Sequence, residues 1–311
     1  MTKNKDPGTA AVIGVDVGGT KLSAALFSEE GEIIDKKRSL LEGKGGPKVG
    51  SLVAHHVKEL VRYADNERYR IDSVGICVPG ISNKIDGTVW APNIPGWEAY
   101  PLYQEIKDGL DNPAIQVNIE SDRNCYILGE IWKGSARGCS NAIFVAIGTG
   151  IGIGIVADGH IINGMNGIAG AIGWMALDRP YLEVYDQCGQ FEFYASGTGI
   201  ARRAGKGTAR EVFMAYGQDD QVAAEVLDQC IQYWGMAVAN LVSIFNPEKI
   251  IFGGGVFGPA IQFLDRIAEE AGKWAQPISM QQVKLEGSLL KGEAGMTGAA
   301  CLALKKNTAM F

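Results

Sequence analysis

Residues 13–27 read IGVDVGGTKLSAALF, and the middle of this stretch holds side chains suited to phosphate chemistry. An apolar segment ends at Asp16, and a short turn precedes the next apolar segment. The turn residues are Gly18, Gly19, Thr20 and Lys21. Glycines leave backbone N–H groups open to a ligand, while the threonine adds a hydroxyl and the lysine a positive charge. Asp16 is suited to hold Mg²⁺ through its waters. The turn therefore predicts a site for the phosphates of a nucleoside triphosphate.

Two more glycine clusters follow strand-like segments. The sequence GTGIGIG offers Gly148, Thr149 and Gly150 to the same triphosphate. The cluster Gly253, Gly254 and Gly255 would let a nucleoside base or ribose lie against the backbone. Ser196 and Gly197 are further candidates to flank the nucleotide. Each cluster alone is more typical of a tight turn, in a chain with 42 glycines, than of a binding site, but together with Asp16 and two threonines they favour phosphate binding.

The bulk composition excludes several classes of protein. The chain has 311 residues, 46% of them hydrophobic, and a net charge of −6 without a basic cluster, which argues against nucleic acid as a partner. Its six cysteines form no C-x-x-C pair and are typical of a reduced, cytoplasmic protein. The polar start MTKNKDPG predicts no signal peptide. Residues 138–157 carry no charge, but their alternating glycines indicate a β-hairpin and not a membrane helix.

Hydrophobic patterns predict strands mixed with helices, and hence an α/β protein. The predicted strands are 11–17, 22–27, 72–78, 115–119, 142–147, 151–157 and 249–253, and the predicted helices are 49–64, 220–245, 258–275 and 295–306. Two segments, VIGVDVGGTKLSAALF and IFVAIGTGIGIGIVADG, share the pattern strand, glycine-rich turn, strand. This similarity predicts two related lobes that face one cleft, joined near residues 117–121.

Six segments, taken in order along the chain, resemble the ROK family, which includes sugar kinases and repressors. They are GVDVGGTK, ESDRN, IGTGIGIGIV, GIAGAIGW, FEFYASG and IIFGGGV. The resemblance implies a two-lobe, actin-like (ribonuclease H-like) fold with the active site in the interlobe cleft, ATP-dependent phosphorylation of a sugar hydroxyl, and a homodimer. The expected lobes are 1–117, completed by a helix at 299–311, and 118–298. Only about a dozen residues precede the first strand, too few for the repressors' DNA-binding module, so the enzyme branch is expected.

The resemblance also assigns roles to single residues. Asp122 in ESDRN matches the catalytic aspartate, which takes a proton from the sugar hydroxyl, although an aspartate there is equally suited to be a helix N-cap. Asn93 and Glu192 match residues that contact the sugar. The alternatives are a turn residue for Asn93 and a solvated helix position for Glu192. Gly80 in VPGIS is expected to let the sugar approach the backbone.

Three departures from the family pattern concern the sugar and a structural zinc. Ser121 stands where the family has a sugar-contacting asparagine, and Ala171 where it has a glutamate. Trp174 replaces a histidine that is also a zinc ligand, and of the three family cysteines only Cys188 remains. Because a structural zinc needs four ligands, no zinc site is expected. Trp174 is expected either to stack on a face of the sugar or to fill the volume of the missing zinc loop.

The sequence thus predicts a zinc-free, cytoplasmic sugar kinase that uses ATP and Mg²⁺. Its acceptor would be the exocyclic CH₂OH group of a hexose or hexose derivative, with Asp122 as general base. Two alternatives stay open: a non-catalytic sugar sensor of the same fold, and an actin-like ATPase with a protein client. Retention of Asp122 and the phosphate turns favours the kinase over the sensor.

Overall fold

The apolar segments on either side of the DVGGTK turn pair as an antiparallel hairpin in the computed structural model, which describes residues 8–304. Ile13 lies opposite Leu26, and both side chains are fully buried. Residues 11–15 and 22–27 of the two strands are all buried, because the sheet is covered on both faces.

The secondary-structure elements alternate along the chain as expected for an α/β protein. The strands are β1 (Thr9–Val17), β2 (Lys21–Ser28), β3 (Ile33–Leu40), β4 (Tyr69–Val78), β5 (Ile81–Ser82), β6 (Val89–Trp90), β7 (Gln116–Ser121), β8 (Ala142–Ile147), β9 (Ile151–Ala157), β10 (His160–Ile161), β11 (Lys249–Gly253) and β12 (Lys284–Gly287). The α-helices are α1 (Pro47–Asn66), α2 (Leu102–Gly109), α3 (Asp122–Lys133), α4 (Gln190–Ala195), α5 (Gly197–Arg203), α6 (Ala209–Tyr216), α7 (Gln221–Phe245), α8 (Leu264–Gly272), α9 (Pro277–Gln282) and α10 (Ala294–Leu304). Short 3₁₀ helices span Ile172–Trp174, Glu183–Gln187, Pro259–Phe263 and Lys291–Glu293.

The described residues form two compact units. The first contains the chain up to Gly134, the segment Asn163–Ile168 and the chain from Gly292 onward, and the second contains Ser135–Ile162 and Ala169–Lys291. The division therefore differs from the expected boundary at residues 117 and 118. The strand β7 pairs with β4, and α3 packs on α10, so both belong to the first unit. The C-terminal helix also belongs to it but begins at Ala294, and residues 305–311 of the expected helix lie outside the described residues.

The first unit is built on a five-stranded sheet of order β3-β2-β1-β4-β7. Because β1, β4 and β7 are parallel, their carboxyl ends meet at one edge, where Asp16 pairs with Cys77 and Cys77 with Glu120. The helix α10 approaches this sheet closely, since a Cβ atom at Gly75 would clash with the Ala299 carbonyl. The topology thus brings the end of the first hairpin strand near the start of α3.

The second unit is built on a sheet of order β10-β9-β8-β11-β12. As in the first unit, the central strand is antiparallel to the hairpin partner that follows it and parallel to the strand on its other side. The long helix α7 packs in the core with Trp234 fully buried, and its N-terminus is capped by Asp220, which accepts a hydrogen bond from the Ala223 N–H. The two sheets share one strand order and one set of strand directions, in agreement with the similarity of the two hairpin sequences.

All seven predicted strands are present, with ends that differ by three residues or fewer. The predicted helix 258–275 is wrong in its continuity, because a 3₁₀ helix occupies Pro259–Phe263 before α8 begins at Leu264. Within residues 8–304, no helix combines the length and the apolar character needed to cross a membrane.

Candidate functional site

The predicted base, Asp122, is the first residue of α3, directly after β7. The helix cap is the preceding residue: the Asn124 N–H donates to Ser121 Oγ at 3.5 Å. The Asp122 carboxylate accepts the N–H of Arg123 at 2.8 Å. The N-cap role that the sequence offered for Asp122 is therefore filled by Ser121, and capping does not explain the aspartate.

The electrostatics of Asp122 are those of a base that titrates near neutrality. Burial raises the pKa of its carboxyl group to about 6, and the negative charge of Asp16 adds to this rise. The Arg123 charge and the hydrogen bond from the Arg123 N–H oppose the rise without cancelling it. A carboxylate with this pKa can accept a proton and still be ionised at neutral pH.

Asp16 ends the central strand of the same sheet. Burial raises the pKa of its carboxyl group, while a hydrogen bond with the Cys77 thiol and the charge of Lys21 lower it. A Cβ atom at Gly295, in the first turn of α10, would come within 2.9 Å of the carboxylate oxygens. The glycine therefore leaves room for this acid at the helix start. A single carboxylate completed by waters and phosphate oxygens is a usual Mg²⁺ donor set, so Asp16 fits the ion expected with ATP.

The predicted phosphate turn of the first unit is tight and open. The Gly18 N–H donates to the Lys21 carbonyl at 2.9 Å, while Gly19 and Thr20 are exposed. A Cβ atom at Gly19 would lie 3.7 Å from the carbonyl oxygen of Asn93, so the loop of Asn93 borders the turn. The candidate phosphate residues and one candidate sugar residue are thus brought together within this unit.

Gly80 has a structural explanation that the sequence did not predict. A Cβ atom there would clash with the Trp90 carbonyl, which lies against Gly80 in the small sheet of β5 and β6. The glycine is therefore required by the approach of the chain's own backbone. The expected contact of Gly80 with a sugar stays a prediction.

Sequence reasoning missed a polar cluster beside Asp122. Its members are Lys84, Glu120, Asn124 and Asn163, linked by side-chain hydrogen bonds. Glu120 and Asn124 lie inside the ESDRN segment, and their polar character in a strand-to-helix junction was a usable signal. The other two lie far away in sequence, and no local pattern marks them.

In the second unit, the turn of the β8–β9 hairpin contains Gly148, Thr149 and Gly150. The Gly197 N–H donates to the Gly148 carbonyl at 2.7 Å, and the Thr198 hydroxyl donates to the Thr149 carbonyl at 3.0 Å. Ser196, whose Oγ accepts the Gly199 N–H at 3.1 Å, caps α5 beside this turn. Three of the predicted nucleotide residues of this unit therefore lie beside Gly197, whereas Ser196 is buried beneath them as the cap of α5.

The third glycine cluster lies near the same turn because β8 and β11 are parallel and end at the same edge. Gly254 has φ +88°, and a Cβ atom there would lie 2.7 Å from the Ile147 carbonyl carbon. A Cβ atom at Gly255 would meet no described atom within 4 Å. Gly254 is thus required by the fold, whereas Gly255 is not, and only Gly255 leaves open backbone for a ligand.

Glu192 is half-buried and not a solvated helix position. Its Oε2 accepts the Ile151 N–H at 2.6 Å, and burial raises the pKa of its carboxyl group. Cβ atoms at Gly150 and Gly173 would each come within 3 Å of this carboxylate. The sequence therefore reserves space for the acid at both glycines, between the β8–β9 turn and the short helix that carries Trp174.

Trp174 does not fill a void, because 59% of its surface is exposed. The volume-filling alternative is wrong, and stacking on a sugar stays a prediction. Cys188 is half-buried, with its thiol 3.8 Å from the Gly189 carbonyl. Of the histidines, His56 is buried with Nε2 2.8 Å from Ser39 Oγ, and His160 is exposed. Over residues 8–304, no group of three or more His, Cys, Asp or Glu side chains is arranged to hold a metal ion.

Comparison with known proteins gives the class of protein. The sequence pattern of the ROK family matches residues 12–306, so the chain belongs to the ROK family. A glucokinase of Halalkalibacterium halodurans is 33% identical over 96% of both chains, and an N-acetyl-D-glucosamine kinase of Photobacterium profundum is 28% identical over 94% of this chain and 99% of its own. Among solved structures, a ROK family glucokinase from Streptomyces griseus in complex with glucose and AMPPNP matches with TM-score 0.74 and 26% identity, over 94% of this chain and 99% of its own. The actin-like α/β fold class expected from the resemblance is confirmed.

Proposed function

We propose that the chain is an ATP-dependent sugar kinase that transfers a phosphoryl group to a hydroxyl of a hexose or hexose derivative. The observation that carries this proposal is the Asp122 carboxyl group, which stands at the start of α3 with a pKa of about 6 and is not the helix cap. The similarity of this chain to named sugar kinases over nearly its whole length supports the same function. The chain is thus a phosphotransferase with an alcohol group as acceptor.

Each candidate residue has a task in phosphoryl transfer, which requires positioning and charge neutralisation more than covalent chemistry. Asp122 accepts the proton of the sugar hydroxyl as that oxygen attacks the terminal phosphorus of ATP. Lys21 and the N–H groups of Gly19 and Thr20 bind phosphate oxygens, while Gly18, whose N–H is held by the Lys21 carbonyl, shapes the turn against the phosphates. Asp16 would hold Mg²⁺, which supplies positive charge against the phosphates. In the second unit, Gly148, Thr149, Gly150, Gly254 and Gly255 contact the nucleotide.

The sugar contacts are proposed on Gly80, Asn93, Ser121, Trp174 and Glu192, with Asp122 at the reacting hydroxyl. Glu192 is a half-buried acceptor, and Trp174 offers an exposed flat ring. The reacting group is proposed to be the exocyclic CH₂OH. The relatives named above act on glucose and on N-acetyl-D-glucosamine, so both belong among the first substrates to test. A homodimer and a cytoplasmic location stay predictions.

The second candidate function is a sugar sensor that binds without turnover. The replacements at Ser121, Ala171 and Trp174 favour it, because they alter the groups expected to contact the sugar. The buried, raised-pKa carboxyl of Asp122 disfavours it, because a binding protein gains nothing from a costly buried acid.

The test is ADP release with ATP and Mg²⁺ over a panel of hexoses, hexosamines, N-acetylhexosamines and polyols. The variant Asp122→Asn is measured beside the natural chain. The matched control is Asp111→Asn, which makes the same chemical change at an exposed residue paired only with Lys58, 2.8 Å away. We expect one sugar or a few to give turnover, and Asp122→Asn to lose about 10²- to 10⁴-fold in kcat while the control keeps it.

Two outcomes would contradict the kinase. If no sugar raises ADP release but one of them raises the melting temperature, the protein is a sensor. If ADP release is high without any sugar, and Asp122→Asn does not change it, the chain is an ATPase of another kind.

A further inference from the structure

Glu120 is a buried carboxylate, 6% exposed, whose two oxygens both have donors. The Lys84 Nζ donates to Oε2 at 2.7 Å, while the Ser121 N–H at 2.9 Å and Asn124 Nδ2 at 3.2 Å donate to Oε1. A buried charge is stable only when it is paired and hydrogen-bonded in this way. Glu120 therefore ties Lys84, in the loop between β5 and β6, to the residue that caps the helix of Asp122.

Asn124 extends this cluster to a distant segment of the chain. Asn124 is buried, with 4% of the whole residue exposed. Its side-chain amide also donates to Asn163 Oδ1 at 2.6 Å. Asn163 begins the segment Asn163–Ile168, which belongs to the first unit although the residues before and after it belong to the second. Near its other end the segment passes Ile81, since a Cβ atom at Gly167 would lie 3.9 Å from Ile81 Cγ2, an ordinary contact distance.

The residues that neighbour this segment lie close in sequence to candidate sugar residues. Asn124 follows Asp122 by two positions, and Ile81 directly follows Gly80. Between Asn163 and Gly167 the segment is exposed, with Met165 99% accessible, and both Gly164 and Gly167 have φ +69°. A segment hydrogen-bonded at Asn163 to the helix that begins with the reacting base, and otherwise open, is placed to contact a ligand, not to fill a core.

We propose that Asn163–Ile168 is a specificity segment of the sugar site, and that Lys84, Glu120 and Asn124 are positioning residues that hold it there. The inference rests on the proposed function, because it names a part of the sugar site of that kinase. The segment contacts the part of the sugar that does not react. Its anchoring lowers the conformational entropy that sugar binding must remove, so losing an anchor weakens binding of the sugar and not of ATP.

The principal test is Asn163→Ala, which removes the acceptor of the Asn124 amide. We expect KM for the sugar to rise about tenfold, KM for ATP to stay within about twofold, and amide hydrogen exchange to quicken in residues 163–168. The matched control is Asn141→Ala in the second unit. Asn141 Oδ1 likewise accepts one hydrogen bond, from the Asp158 N–H at 2.9 Å, so the control has a similar structural loss. We expect it to leave both KM values unchanged.

A second pair of variants tests the ion pair from the other end. Lys84→Ala leaves Glu120 buried without its cation, and we expect a rise in sugar KM of about fivefold or more, which Lys84→Arg largely restores. Lys44→Ala is the control, because Lys44 pairs at 3.0 Å with Glu42, which is exposed. We expect no change in sugar KM for the control.

The outcomes separate this inference from the proposed function. If the natural chain phosphorylates a sugar but Asn163→Ala and Lys84→Ala leave the sugar KM unchanged, the segment is an ordinary surface loop and the inference is wrong. If no sugar is phosphorylated, the proposed function fails, and titration calorimetry with the panel sugars takes the place of KM. In that case Asn163→Ala must weaken the binding of a sugar that the natural chain binds. Unchanged affinity, or no sugar bound by the natural chain, overturns the inference as well.

Discussion

The two five-stranded sheets have the same strand order and directions, yet the ends of their strands carry different chemistry. In the first unit, the edge where β1, β4 and β7 end holds Asp16, Glu120 and, one step further, Asp122. In the second unit, the corresponding edge at β8 and β11 holds glycines, with Gly148 and Gly254 directly after the strands. One topology therefore presents charged side chains in one copy and bare backbone in the other.

The difference follows from what each edge must bind under the proposed function. At the first edge Asp16 and Asp122 are half-buried, and desolvation of their carboxyl groups raises the pKa of both. That arrangement costs stability and is useful only where a proton or a cation is handled. Glycines at the second edge let a ligand approach the backbone without adding charge, as at Gly255, which suits contact with an already charged nucleotide. The comparison predicts that charge substitutions matter most in the first unit, and added Cβ atoms in the second.

The largest expected effect is at Asp122 and depends on pH. Its carboxyl pKa of about 6 lies above the ordinary value of 3.8, so the group takes up a proton at a higher pH in the folded chain than in the unfolded chain. Below about pH 6 the base is protonated, and we expect kcat/KM of the natural chain to fall about tenfold per pH unit there and to level off above pH 7. A pH–rate profile that is flat from pH 5 to 8 would contradict a base with this pKa.

The same shift makes a prediction for stability. A raised pKa contributes stability that is fully present below pH 3.8 and is lost as pH rises through about 6. At pH 7.5 the natural chain therefore carries an unfavourable buried charge that Asp122→Asn removes. We expect the inactive variant to be more stable at pH 7.5 by up to about 3 kcal/mol, with a smaller difference near pH 4, as measured by urea unfolding. A variant that is less stable at both values would show that the carboxylate is structural.

A smaller effect separates fold from function at the second edge. Gly254→Ala places a Cβ atom against the Ile147 carbonyl at a positive φ, so we expect a loss of about 2 kcal/mol or more in unfolding free energy. Gly255→Ala adds the same methyl group where no described atom lies within 4 Å. We expect Gly255→Ala to keep its melting temperature and to raise KM for ATP about tenfold, with KM for the sugar unchanged. If Gly255→Ala leaves KM for ATP unchanged, the nucleotide does not contact this backbone.

Local sequence patterns were sufficient for the two hairpins, because alternating apolar residues and paired glycines specify strand and turn within about fifteen residues. They were insufficient for β3, whose sequence IIDKKRSL has three basic residues. This strand lies at the edge of its sheet, and its side chains are exposed or half-exposed. Local patterns were also insufficient for β12, which is only four residues long. Both strands are stabilised by pairing with a neighbour in the sheet, which a local pattern does not record.

The same distinction between local patterns and contacts distant in sequence applies to the candidate site. Asp16, the glycine turns and Asp122 lie in short motifs, which a reading of the sequence alone can find. The ion pair of Lys84 with Glu120 joins residues 36 positions apart, and the Asn124–Asn163 bond joins residues 39 apart. Only the folded chain brings these partners together. Likewise, the clash that explains Gly80 is with the Trp90 carbonyl, an atom that carries no sequence information.

The smallest expected effect is at Trp174, a large aromatic side chain in a unit whose other candidate ligand contacts are mostly glycines. This ring is 59% exposed beside a helix whose Gly173 packs on the Glu192 carboxylate. If the ring stacks on a sugar, Trp174→Ala raises KM for the sugar about fivefold, Trp174→Phe recovers most of the loss, and the melting temperature hardly changes. Trp274→Ala is the control, because Trp274 is 65% exposed in the same unit and its Nε1 donates to Glu270 at 2.9 Å. Equal KM values for the two alanine variants would leave Glu192 as the proposed sugar contact of the second unit and make Trp174 a surface residue.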